Sequence, residues 1–147
     1  MKIQKATKKE FKSIVNLALK LWPNHSRNQL EKEFLEIFRK KNEVIFIAII
    51  PSDKVVGFAT ASIKKNNVPG VKFYPVGYVE GIYVKPEFRK KDIAKKLVKE
   101  VEKWSKLNKC KILASDVELK NVTSQIFHKK IGFKESDRLV FFEKQLK

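Results

Sequence analysis

The sequence contains very little that can hold a metal ion or form a disulfide. Its 147 residues include one cysteine, Cys110, and two histidines, so we expect neither an intrachain disulfide nor a metal site. This cysteine usage is typical of a reducing compartment, and Cys110 is interpreted as a small buried hydrophobe. No run of about 18 apolar residues occurs, and the N-terminal MKIQKATKKEF has no apolar core of the signal-peptide type. The sequence therefore predicts a soluble, cytoplasmic protein that makes no contact with a membrane.

Acidic residues are scarce as well. The chain has 16 Asp and Glu against 33 Lys and Arg, which gives a formal net charge of +17. A charge of this size raises a polyanion as a partner. However, lysine is spread along every segment, and no arginine-rich arm or alternation of basic and aromatic residues is present. We therefore expect no nucleic-acid partner and interpret the charge as a solvated surface that favours small anionic ligands.

Glycine and proline, five of each, mark the turns between patterns of strand and helix type. The patterns predict one domain, residues 1–147, of the α/β (α+β) class, with helices flanking a mixed, mainly antiparallel sheet in the order βααβββαβαβ. Parallel pairing is expected where a helix connects two strands. The predicted strands are Lys2 to Ala6, VIFIAII, VVGFATASI, Val76 to Val84, Cys110 to Ala114 and Arg138 to Lys144. Four helices are predicted. The first two begin at the capping signals Thr7-x-x-Glu10 and Ser26-x-x-Gln29. The third and longest ends near Asn108, and the fourth runs from Asn121 to Lys130.

A basic turn lies where the longest helix begins. The strand YVEGIYV leads through KPEFRKKD into IAKKLVKEVEKWSK, whose apolar residues recur at helical spacing. The start of a helix presents unpaired backbone N–H groups and the positive end of the helix dipole. Lysine and arginine side chains around it add positive charge. The stretch therefore predicts a phosphate-binding site.

Several motifs in this chain resemble those of a known family. Arg89 to Ala94 is similar to the Arg/Gln-x-x-Gly-x-Gly/Ala signature with which GNAT N-acetyltransferases hold the pyrophosphate of acetyl-CoA, except that Asp92 replaces the first glycine. The blocks LWPNH, GFATASI, VEGIYVKPEFR, ASDVELKN, SQIFH and IGFKESDR resemble, in the same order, small aminoglycoside 6'-N-acetyltransferases. The resemblance implies the GNAT fold, acetyl-CoA as co-substrate, no metal, and a homodimer. It also implies transfer to the 6'-amine of aminoglycosides by direct attack in a ternary complex, giving antibiotic resistance.

The resemblance also implies a cofactor site. Backbone groups of the central strand lie along the pantetheine and the acetyl carbonyl, and the basic turn holds the pyrophosphate. An asparagine at the start of the following helix touches the pantetheine. Because Asp92 brings a Cβ and a negative charge to this turn, we expect weaker binding of CoA than a glycine would give. The implied cofactor-binding residues are Ile82, Tyr83, Val84, Arg89, Lys90, Lys91, Asp92, Ile93, Ala94, Lys95 and Asn121.

Carboxylates are the residues expected to receive the amine. Glu80 and Asp116 match family positions for amine contacts, and either could take the proton from the 6'-ammonium; the sequence does not decide between them. A carboxylate within an apolar strand needs a function or a partner, which favours a functional Glu80. His128 stands where the family often has a tyrosine that protonates the leaving thiolate, although a half-buried structural histidine is an equal alternative.

Three further positions match substrate contacts of the family, namely Trp22, Asn67 and Asp137. Trp22 could equally pack in the core. Asn67 replaces a tyrosine and Asp137 a glutamate, so the preferred substrates remain open. Because the protein is strongly basic, the acceptor pocket is expected to be a local acidic island.

Two alternatives to aminoglycoside acetylation stay open. The first is acetylation of another amine, such as a polyamine, a metabolite or a protein N-terminus. The second is a non-catalytic GNAT-like module that binds acidic partners through its charge. No serine or cysteine is recognisable beside a histidine and an acid, so a covalent acetyl-enzyme is not expected.

Overall fold

The computed structural model describes residues 1–147. Its five strands form one sheet in the order in which they occur along the chain. Neighbouring strands are antiparallel except for the last two, which are parallel, as predicted. The strands are β1 (Lys2–Lys5), β2 (Glu43–Ile49), β3 (Val55–Lys64), β4 (Val76–Val84) and β5 (Leu113–Ser115).

Four α-helices pack around this sheet: α1 (Phe11–Leu21), α2 (Arg27–Ile37), α3 (Ile93–Leu107) and α4 (Val122–Lys130). The predicted start signals are present. Thr7 and Glu10 form a capping box at a short 3₁₀ turn that leads into α1. The Ser26 hydroxyl accepts a hydrogen bond from the Gln29 N–H at 3.1 Å and so caps α2.

The sheet separates two hydrophobic cores. Helices α1 and α2 cover one face, where Ile14, Leu30 and Phe58 are fully buried. Helix α3 covers the other face, where Leu97 and Val101 are fully buried. Side chains of successive strand residues point to opposite faces, so alternate residues of β3 and β4 lie on the sheet face that α1 and α2 partly cover.

Strand β4 leaves its parallel neighbour halfway along its length. The pairing of β4 with β5 ends at Val79 and Ser115, whereas β4 continues to Val84. On its other edge, Thr60 pairs with Gly81 and Ala61 with Val79, so Glu80 is the extra residue of a β-bulge. The segment from Glu80 to Val84 therefore has an edge without a strand beside it.

Two predicted strands differ from the structure. The strand predicted from Cys110 to Ala114 is shorter and begins later, because Cys110 closes the end of α3 by donating its N–H to the Ser105 carbonyl at 3.0 Å. The strand predicted from Arg138 to Lys144 does not form. After α4 the chain passes the loop between β3 and β4, where the Ser136 hydroxyl donates to the Gly70 carbonyl, and no sheet edge then pairs with it. A strand-type sequence needs such an edge to become a strand.

Candidate active site

A row of polar side chains continues the sheet face beyond the cover of α1 and α2. On β3 the row follows Phe58, which belongs to the core beneath these helices. On β4 it occupies the alternate positions of the same face. We call this surface the polar platform. Its residues are Thr60, Ser62 and Lys64 of β3, Tyr78 and Glu80 of β4, and Asp116, which follows β5.

Glu80 has two partners on the polar platform. The Ser62 hydroxyl donates to Glu80 Oε1 at 2.7 Å, and Lys64 Nζ lies 3.1 Å from the same oxygen. The bulge turns this carboxylate out of the regular ladder, and 38% of its side chain remains exposed. The carboxylate that the sequence placed in an apolar strand is therefore paired and still accessible to a ligand.

Asp116 is tied to the polar platform through Tyr78. The Tyr78 hydroxyl donates a short hydrogen bond to Asp116 Oδ2. Burial, this hydrogen bond and the negative charges of Asp116 and Glu80 raise the pKa of Tyr78 above its usual value. Both carboxylates thus act on one phenol, which stays protonated and remains a hydrogen-bond donor.

A cavity of about 480 Å³ opens beside Glu80, between α2 and the sheet. Four glutamates line it, against one lysine, although the chain as a whole carries a charge of +17. Carboxylates are therefore concentrated next to Glu80 in an otherwise basic protein. The lining residues are Trp22, His25, Glu33, Phe34, Glu36, Ile37, Lys40, Glu43, Thr60, Ala61 and Glu80.

Trp22 is both a core residue and a cavity residue. Its ring packs against Phe34 and Phe58 with centroid distances of 6.4 and 6.3 Å, and it also lines the cavity. Gly81 allows this position, because a Cβ on Gly81 would lie 2.5 Å from Trp22 Cζ2. The glycine after the bulge therefore lets the indole lie directly on β4 beside Glu80.

On the other side of β4, the open edge leads to the basic turn. Arg89 Nε donates to the Val84 carbonyl at 2.8 Å, and its guanidinium lies 5.3 Å from the centre of the Tyr83 ring. Arg89 therefore anchors the turn to the end of β4, and part of its guanidinium is occupied by these contacts within the protein. Three lysines of the turn are exposed, namely Lys90, Lys91 and Lys95. The side chain of Ile93 is buried, so Ile93 can offer only its backbone to a ligand at the turn.

Asp92 occupies the backbone conformation that a glycine adopts most easily. Its φ of 62° and ψ of 16° are left-handed, and its side chain makes no capping hydrogen bond. Asp92 is therefore the N-cap residue of α3 by position, but its carboxylate does not cap the helix. The Asp92 carboxylate is exposed at the N-terminus of α3.

His128 contacts the end of β5 through a hydrogen-bonded pair that the sequence did not indicate. His128 Nδ1 lies 2.7 Å from the Ser124 carbonyl, and Nε2 lies 2.9 Å from the Ser115 hydroxyl. A carbonyl can only accept, so in the neutral ring Nδ1 carries the hydrogen and Nε2 accepts from Ser115. Ser115 thus lies beside His128, but the other ring nitrogen faces a backbone carbonyl and not a carboxylate.

The remaining predicted residues occupy other parts of the molecule. Asn121 caps α4, since its Oδ1 accepts from the Ser124 N–H at 3.1 Å and only its amide NH₂ stays free. Asn67 lies in the loop between β3 and β4 with a φ of 59°. A side chain on Gly70 of that loop would lie 3.3 Å from Asp137 Cβ. Neither Asn67 nor Asp137 lines the cavity.

The structure contains no group of three or more His, Cys, Asp or Glu side chains that could hold a metal ion. None of its helices combines the length and the apolar character that crossing a membrane requires. Burial raises the pKa of the Cys110 thiol, which disfavours the nucleophilic thiolate.

Comparison with known proteins decides the family. The sequence profile of the acetyltransferase (GNAT) family matches residues 11–133. The chain belongs to the GNAT acetyltransferase family. Among its relatives is the aminoglycoside N(6')-acetyltransferase type 1 of Salmonella enteritidis, which is 35% identical over 99% of both chains. The enzyme of the same name from Acinetobacter baumannii is 32% identical, again over 99% of both.

Solved GNAT structures agree with this fold. AAC(6')-Iy, in complex with the bisubstrate analog CoA-S-monomethyl-acetylneamine, has a TM-score of 0.93 and 33% identity over 99% of this chain and 98% of that one. AAC(6')-Ig from Acinetobacter haemolyticus has a TM-score of 0.93 and 32% identity over the whole of both chains. The predicted GNAT fold is therefore confirmed.

Proposed function

We propose that this chain transfers the acetyl group of acetyl-CoA to the 6'-amine of aminoglycosides, and so gives resistance to them. The observation that carries the proposal is the acidic cavity beside Glu80 in a protein of +17 charge. Ammonium groups bind to carboxylates and aromatic faces, and the cavity and the polar platform offer both. The names of its GNAT relatives support the same substrate class.

In this proposal acetyl-CoA lies in the cleft between β4 and β5. Backbone groups of Ile82, Tyr83 and Val84 contact the pantetheine and polarise the acetyl carbonyl, because an edge strand turns unpaired N–H groups outward. The basic turn from Arg89 to Lys95 holds the pyrophosphate with its backbone N–H groups and its lysines. Asn121 contributes its free amide NH₂ from the start of α4.

The acceptor binds on the opposite side of β4, where Trp22, Glu80 and Asp116 contact it. Glu80 or Asp116 removes a proton from the 6'-ammonium, through water, and the neutral amine attacks the thioester carbon directly. The C–S bond then breaks, the new amide nitrogen releases its extra proton to water, and the thiolate takes a proton. Imidazolium His128 is the proposed donor, because neutral His128 has no hydrogen on the nitrogen that faces Ser115. Asn67 and Asp137 contact outer parts of the acceptor from the neighbouring loop.

We further propose that residues 1–147 act as one domain in the cytoplasm, where acetyl-CoA is available, and that two copies associate. Support for the dimer comes from the C-terminal segment. Leu139, Val140, Phe141 and Phe142 are 53%, 77%, 88% and 91% exposed, although their sequence is of strand type.

A matched pair of aminoglycosides tests the proposed reaction. Neomycin carries an amine at the 6' position and paromomycin a hydroxyl, and the two are otherwise the same. We expect thiol release from acetyl-CoA with neomycin and none with paromomycin. Equal release with both would contradict 6' selectivity. No release with either, alongside normal binding of acetyl-CoA, would point to another amine, such as a polyamine or a peptide N-terminus.

A further inference from the structure

Lys64 places an ammonium group within the polar platform itself. Its Nζ lies 3.1 Å from Glu80 Oε1 and 4.8 Å from the centre of the Tyr78 ring. A carboxylate and an aromatic face are the two groups that proteins use to recognise an ammonium. Lys64 therefore makes the contacts that an acceptor amine is expected to make.

Strand geometry alone does not bring Lys64 to this position. The register partner of Lys64 is Val76, whereas Glu80 lies in the bulge opposite Thr60 and Ala61. The lysine side chain runs back along the face, above Tyr78, to reach the carboxylate. Its stem and charge therefore cover the floor of the polar platform.

The pair is accessible to a competing cation. Both side chains are 38% exposed, so an ammonium from solvent can reach the same carboxylate oxygen. Ion pairs with this degree of exposure contribute little to stability and open readily. When Lys64 leaves, Ser62 still donates its hydrogen bond to Glu80, so the carboxylate keeps its position.

We propose that Lys64 is an internal occupant of the acceptor's ammonium subsite, which an acceptor must displace from Glu80. The inference rests on the proposed function, in which Glu80 binds the amine. Because Lys64 must first leave Glu80, every amine that binds Glu80 loses affinity by the same factor. For acceptors with several ammonium groups, the further carboxylates in the cavity offset this loss of affinity. A singly charged amine has no such compensation and bears the loss in full.

Measuring the binding of neamine to the CoA-saturated protein tests the role of Lys64 without any turnover. Isothermal titration calorimetry with neamine would compare wild type with Lys64→Met, which keeps the length of the side chain and removes its charge. Lys65→Met is the matched control, since the exposed neighbour Lys65 has no ion-pair partner and its loss changes the net charge equally. We expect Lys64→Met to tighten neamine binding about threefold, the effect of removing a surface pair. Lys65→Met should have a clearly smaller effect.

A singly charged 6-amino-6-deoxyhexose separates local occupancy from long-range charge. If Lys64 occupies the subsite, Lys64→Met should raise the affinity for this amine by the same factor as the affinity for neamine. Long-range attraction predicts a larger gain for neamine, because neamine carries more charge. Unchanged or weaker neamine binding, a gain no larger than that of Lys65→Met, or a gain confined to neamine would each overturn the inference. Thermal unfolding of both variants checks that the fold is intact.

Failure of this inference is distinguishable from failure of the proposed function. Thiol release by wild-type protein with neomycin reports on the reaction alone. If thiol is released and Lys64→Met binds neamine no more tightly, Lys64 is not an occupant and the reaction stands. If no thiol is released while Lys64→Met does bind neamine more tightly, the ammonium subsite stands and the reaction does not.

Discussion

Asp92 combines two unfavourable features in the turn that is proposed to bind pyrophosphate. Its left-handed backbone suits glycine better, and its exposed carboxylate repels phosphate. Asp92→Gly should lower the Michaelis constant for acetyl-CoA about threefold, with little change in kcat, which steady-state kinetics would measure. Asp92→Asn separates the two causes, since it removes the charge and keeps the Cβ. A Michaelis constant that is unchanged in both variants would contradict this account of Asp92.

The hydrogen bonds of His128 give its proposed role a specific test. Ser124 holds the ring through its backbone carbonyl and Ser115 contacts the other nitrogen. His128→Ala should lower kcat about 100-fold, the usual contribution of a general acid, while both Michaelis constants change little. Ser124→Ala keeps the carbonyl and should behave almost as wild type does. If kcat in His128→Ala is normal, the histidine is structural.

Local sequence patterns by themselves point to only a few of the proposed site residues, and the others are proposed from the family resemblance. Glu80 stands out because a carboxylate interrupts an apolar strand, and Asp92 because it replaces a glycine of a recognisable turn. The pairing of Ser115 with His128 joins residues on different elements, and no spacing indicates it. The same holds for Tyr78 with Asp116.

Among the elements, helix α3 packs closely against β4 at Gly77. A Cβ on Gly77 would lie 2.8 Å from Ser105 Cβ. The Ser105 hydroxyl is buried and has no hydrogen-bond partner. Ser105→Ala should therefore raise the free energy of unfolding by about 1 kcal/mol, because an unsatisfied hydroxyl is removed. Urea denaturation would measure it. A loss of stability would show that Ser105 Oγ makes a favourable contact in solution.

The order of the elements could be predicted because helix and strand periods are local properties. Capping residues mark the starts of α1 and α2, and apolar runs mark β2 to β4. The bulge at Glu80 and the divergence of β4 from β5 depend on pairing between distant segments. The glutamates of α2 that line the cavity could not be recognised, since exposed helix carboxylates are usually only solvated.

For the whole molecule, the unpaired C-terminal segment predicts the oligomeric state. We expect a dimer by size-exclusion chromatography with light scattering, because apolar side chains of strand type seek a partner. The double variant Phe141→Ser/Phe142→Ser should shift the equilibrium to monomer. Leu146→Ser is the matched control, since Leu146 is 90% exposed, as Phe142 is at 91%, and lies beyond the predicted strand. A wild-type monomer, or a double variant that remains dimeric, would contradict this proposal.

The distribution of charge over the molecule relates the two proposed binding sites. Positive charge dominates the surface and the turn before α3, and it suits the pyrophosphate of CoA. The acidic cavity beside Glu80 is a local region of negative charge within this positive surface. The two proposed sites therefore differ in charge in the sense that their proposed substrates require.

The position of the acetyl group on the product tests this arrangement most directly. Neamine would be incubated with the protein and acetyl-CoA, and the product's structure would be determined by two-dimensional NMR. We expect a single product, acetylated at the 6'-nitrogen. Acetylation at a ring amine of neamine, or no acetylated product although neamine and acetyl-CoA both bind, would contradict it.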